Sequence, residues 1–202
     1  MAINLANNNS LANITALPSG IGGAMTLLAT QTASGSASLS FTSGIDSTYD
    51  SYVFKFIDIH PSALANLEFN ATTDGSNWNV VKTSTAFYVE HEEDDGSGQM
   101  GYSGIDEAQA TGFQQLTTGS NPSIDNDACI VGNLQIFNPS NTTFVKHFIS
   151  RTTFYGENND DRSSNSGHVA GYFNTTSALT GFQFKMRSGN IDSGVIKLYG
   201  IS

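Results

Sequence analysis

The chain has 202 residues, 18 acidic against 8 basic side chains, and a net charge of −10. No Lys or Arg precedes Lys55, which argues against nucleic acid and anionic membranes as partners and against an N-terminal secretory signal, all of which need clustered positive charge. Nothing nears the ~20 apolar residues of a membrane span, and one cysteine, Cys129, leaves no internal disulfide.

Residues 1–25 differ in texture from the rest. Isolated apolar residues (Ile3, Leu5, Leu11, Ile14, Leu17) sit among Asn and Ala, and Pro18, Gly20, Gly22 and Gly23 break any continuing element. Ser10 is placed to cap a turn of helix reaching Ala16. Such a segment buries too little apolar area to fold alone, so it reads as an arm that docks on a partner or, without one, as a tail.

Residues 26–202 read as one all-β domain. Strands are expected near 25–32, 36–42, 49–59, 66–72, 79–91, 128–137, 143–155, 167–174, 179–187 and 194–200. The clearest signals are the aromatic and β-branched run Tyr52–Ile59 and the alternation in Leu67–Ala71 and Phe182–Met186. The Asp74–Gly75 turn predicts that 66–72 and 79–91 pair as a hairpin. Helix is confined to a turn or two at Ile105–Ala110. Some ten strands at this spacing imply an antiparallel two-sheet β-sandwich, jelly-roll-like, with a short extended N-terminal arm. Two long connections remain, 90–127 and 156–167, each read as contacting a partner or staying mobile.

No catalytic constellation emerges from the residue pattern, and neither a metal nor a cofactor is expected. Glu90–Asp95 is rich in ligand atoms, but consecutive acids at a strand end diverge and the spacing of a calcium loop is absent. His60, His91, His147 and His168 lack metal-ligand spacing; one strand face accounts for His147. Cys129, within Ala128–Val131, reads as buried filler. Trp78 after the turn anchors the core or, beside Asn77 and Asn79, offers a sugar-stacking platform.

Several segments have a family wording. Thr30–Tyr49, Phe54–Pro61, Leu134–Gln–Ile–Phe–Asn–Pro–Ser140, Thr143–Ser150, Gly171–Thr176 and Ser188–Gly200 resemble virion structural proteins of tailed phages, especially those of cyanobacteria. The resemblance spreads over most of 25–202 and is weakest at 90–127. It implies a non-enzymatic protein assembled in the host cytoplasm and displayed on the virion exterior. Capsid decoration through the N-terminal arm is the first expectation, with other virion proteins as partners and a homotrimer by analogy. The alternative is a tail-fibre or receptor-binding module recognising host-surface saccharide through 90–127, 156–167 and Trp78. A depolymerase would need acids converging in a groove.

Overall fold

A computed structural model describes residues 25–158 and 161–202; the expected docking arm and the turn at Ser10–Ala16 lie outside the described residues. All ten expected strands form, as Thr26–Ser36 (β1), Leu39–Phe41 (β2), Ser51–Pro61 (β3), Leu67–Thr72 (β4), Lys82–Glu92 (β5), Ile130–Phe137 (β9), Lys146–Asn158 (β10), Asp161–Phe173 (β11), Gly181–Met186 (β12) and Ile191–Ile201 (β13). Three more arise inside 90–127: Gly98–Tyr102 (β6), Gln114–Gln115 (β7) and Asn121–Pro122 (β8).

The chain is an all-β sandwich of two antiparallel sheets. The nine-stranded sheet runs β1-β13-β3-β9-β10-β11-β5-β6, with β8 beside β10, and the four-stranded sheet runs β2-β12-β4-β7. Three of the passages between them, β1 to β2, β3 to β4 and β12 back to β13, join strands that are neighbours in both sheets, so these strands roll over together as in a jelly roll.

Alternation builds the core. On β10, Lys146, Phe148, Ser150, Thr152, Phe154 and Gly156 face inward while the residues between them stay at the surface. Facing aromatic side chains fill the space between the sheets. Phe184 on β12 packs against Phe54 at 4.9 Å, Phe56 at 5.4 Å and Phe41 at 6.1 Å between ring centroids, and Phe69 stacks beside it at 6.3 Å.

The anticipated hairpin of 66–72 with 79–91 does not form. The Asp74 turn is present, with Oδ1 accepting from the Ser76 and Asn77 amides at 2.9 and 2.8 Å. However, β12 and β7 already occupy both edges of β4, so the chain crosses to the other sheet, where β5 pairs with β11 and β6. The buried Asn70 amide fixes the crossing by donating to the carbonyl oxygens of Trp78, Thr111 and Gly112 at 2.7, 2.9 and 3.1 Å.

The two long connections also differ from expectation. Residues 156–167 belong almost entirely to the β10–β11 hairpin, whose register runs unbroken to Asn158 opposite Asp161. Within 90–127, Leu116, Thr117 and Thr118 are buried, and the Leu116 carbonyl accepts from Thr152 Oγ1 at 2.7 Å. That segment closes the sandwich instead of projecting from it. The expected helical turn at Ile105–Ala110 is absent; this stretch pairs Ala110 with Lys82 and is held by Glu107 N donating to Ser84 Oγ at 2.8 Å.

Gly132 lies mid-β9, where a Cβ would come within 2.3 Å of the Arg151 carbonyl oxygen on β10. Backbone cannot yield there without breaking the β9–β10 ladder. Gly132→Ala is expected to destabilise the fold by about 3 kcal/mol or more, read as a lowered urea midpoint.

Candidate functional site: the outer face of the large sheet

The residue types that could support chemistry are distributed between one end of the sandwich and the outer face of the large sheet. At the end, Asp58, Asp127, Asp192, His60 and Cys129 line a depression of about 380 Å³. A neighbouring depression of about 490 Å³ shares Asp127 and Cys129 and adds His91, Glu93 and Tyr155. Asp58 sits at a β-bulge with φ 51°, opposite Gly194 with φ 116°.

Contacts at this end do not assemble a nucleophile. The Cys129 thiol is half-buried, not core filler, because β9 begins only at Ile130 and leaves it at the rim of the two depressions. Its Sγ lies 3.9 Å from Asp58 Oδ1, and burial, followed by the Asp58 carboxylate, raises its pKa. A reactive cysteine needs the opposite environment. His60 Nε2 lies 3.1 Å from the Asp125 carbonyl and Nδ1 lies 3.7 Å from Asp192 Oδ2, so neither ring nitrogen addresses the thiol. Among the described residues, no three His, Cys, Asp or Glu side chains converge as a metal-holding group.

The acidic run also resolves into local contacts. Glu90 and Glu92 belong to β5, Glu90 accepts from Gln99 Nε2 across the β5–β6 hairpin, and Asp94 Oδ1 caps the Gly96 amide at 2.8 Å. Asp125 pairs with Arg162, whose pKa is raised by its hydrogen bonds to Tyr155 and Asp125. Trp78 is half-buried with its indole edge 3.4 Å from where a side chain at Gly181 would begin, so it packs on the small sheet.

The outer face of the nine-stranded sheet has a different character. One row of directly opposed residues crosses its eight principal strands. From the β6 edge it runs Tyr102, Phe87, His168 and Arg151. It continues through Asn133, Lys55 and Lys197 to Thr30 on β1. Phe87 and His168 stack with centroids 4.6 Å apart and planes 2° from parallel. Burial, and then the charge of neighbouring Arg151, lowers the His168 pKa.

Beside this ridge, Thr83, Thr85, His147, Ile149, Ala170 and Tyr172 form a groove of about 500 Å³ whose surface is mostly apolar. It lies where the small outward residue Ala170 is opposed by Ile149 and Thr85 and followed by Tyr172. At the β5–β6 edge, Phe87, Val89, Met100 and Tyr102 are exposed by 44, 43, 74 and 66%. Apolar exposure concentrated this way marks a contact surface more than scattered surface residues do.

Alternation could have revealed this face, since every second residue of 147–155 and 83–89 faces outward. Which outward residues lie side by side depends on register across eight strands, which no local pattern specifies. The loops chosen from sequence, 90–127 and 156–167, contribute mainly through β6 and the hairpin strands.

No protein-family model matches the chain, and no curated protein or solved structure matches it. Among the described residues, no helix is long and apolar enough to cross a membrane.

Proposed function

We propose that this chain is a non-enzymatic structural protein of a tailed-phage virion, displayed on the particle exterior as a capsid decoration and anchored through residues 1–25. The supporting observation is where the phage-like segments fall. They supply β1 and β2, then β3, β9, β10, the end of β11 and β13. Apart from β2, these strands are consecutive neighbours in the large sheet, β1-β13-β3-β9-β10-β11. The resemblance thus follows one continuous slab of structure, and its weakest region, 90–127, supplies the end of β5 and the short strands β6, β7 and β8.

Assembly in the host cytoplasm and release with the particle belong to the same proposal, and a homotrimer is the proposed oligomer. Gold-labelled antibody against the chain, applied to intact particles, tests location. Label over the capsid is the expected result. Label at the tail tip favours a receptor-binding module, which the grooved outer face would suit, and absence of label overturns the proposal.

A further inference from the structure

We infer that the outer face of the nine-stranded sheet binds an acidic oligosaccharide, laid across the strands along the row that contains Arg151, Asn133, Lys55 and Lys197. This goes beyond the virion assignment: it concerns a ligand of the sheet face, whatever particle carries the chain.

Charge is the first argument. The chain carries a net −10, yet no Asp or Glu stands at the outward positions 83–91, 131–137, 147–155, 162–172, 53–57 or 195–199. Glu90 stands at an inward position opposite Asn165, and the other acids of these strands gather at one end, at Asp58, Glu92, Glu157, Asp161 and Asp192. Arg151, Lys55 and Lys197 stand in that acid-free field, and among the described residues none lies within 4.0 Å of a carboxylate. Three neighbouring cations without counter-ions repel one another and favour an anion lying along them.

Spacing and surface chemistry select the class of anion. Lys197 and Lys55 are opposed on adjacent strands, and Asn133 separates Lys55 from Arg151. With strands ~4.8 Å apart, the cations fall about 5 and 10 Å from each other along the row. That is the scale of one and two sugar residues in a chain carrying acid groups at intervals. Hydroxyls and amides flank the row, from Thr153 and Ser166 on one side and Gln135 and Thr85 on the other. The groove beside it has Tyr172 and His147 rings, 5.9 Å apart, for the apolar face of a sugar. A nucleic acid presents denser charge than three cations neutralise, and the acidic end of the sandwich would repel it.

Calorimetric titration of the full chain with oligogalacturonate, heparin hexasaccharide, neutral dextran oligosaccharide and single-stranded DNA tests the inference. Saturable, salt-sensitive binding of at least one acidic saccharide is expected, with dextran and DNA bound at least tenfold more weakly. The double variant Arg151→Ala/Lys55→Ala should lose at least tenfold in affinity. Arg187→Ala, exposed beyond β12 on the other sheet, should bind as wild type. Both variants alter surface residues, and an unchanged melting temperature confirms their folding.

The inference is overturned if neither acidic saccharide binds, if the double variant binds as wild type, or if DNA binds as tightly. It is equally overturned if subunit association buries the face and blocks the saccharides. Particle labelling does not depend on Arg151 or Lys55, so failure here leaves the virion assignment standing, and the reverse also holds.

Discussion

Replacing Phe184 by alanine is expected to destabilise the protein by about 3–5 kcal/mol, the range for deleting a fully enclosed phenyl ring. Phe184 is fully buried on the central strand of the small sheet and touches rings from both sheets, Phe54 and Phe56 on β3 and Phe69 on β4. Sheet faces that meet through interlocking rings cannot close over the void, so both the transfer energy and the cavity cost are lost. Phe144, 70% exposed in the turn before β10, is the matched control. Phe144→Ala should shift stability by no more than about 0.5 kcal/mol. Urea unfolding followed by fluorescence reads both, and equal midpoints would show that the aromatic cluster does not hold the sheets together.

Lys82 supplies the second large effect, and it depends on pH. Its side chain is fully buried, donates from Nζ to the Gly112 carbonyl and lies 6.0 Å from the Phe173 ring centroid. Burial pushes its pKa down to about 8, while Glu107 and Glu68 act weakly the other way. In the unfolded chain the amine titrates near ~10.4. Between those values the unfolded state holds a proton that the folded state has released, so unfolding takes one up. Stability therefore rises with pH through this window.

The gain attributable to Lys82 is on the order of 3 kcal/mol between pH 8 and 10.5. Lys82→Met removes the titrating group. The stability of wild type relative to this variant should therefore climb by that amount over the window and stay flat below it. A difference that does not change with pH would show that the Lys82 amine reaches solvent.

Local chemistry explains what the sequence revealed of the fold. Tyr52–Ile59, Leu67–Ala71 and Phe182–Met186 encode strands in their side-chain alternation, and all appear, with the two-sheet class they imply. The Asp74–Gly75 turn was equally legible as a turn. Its partner strand was not, because pairing depends on which strands flank β4 in the fold: β12 and β7 occupy both its edges and leave none for β5. Leu116 and Asn70 mark the same limit. A leucine among Gln and Thr, and an asparagine in a strand, gain their roles only when distant backbone must be closed over or held.

The candidate face was hidden for a related reason. Lys55, Asn133, Arg151 and Lys197 are separated by up to 142 positions, and only the register of β13, β3, β9 and β10 sets them in one row.

In the proposed role the chain decorates a capsid through its N-terminal segment and leaves the large sheet face free for ligand. Co-sedimentation with undecorated capsids tests it most directly, using the full chain, a chain lacking residues 1–20, and the Arg151→Ala/Lys55→Ala variant. Saturable binding of equal strength by the full chain and the double variant, and none by the shortened chain, is the expected result. Binding retained without residues 1–20, lost in the double variant, or absent from all three would contradict it.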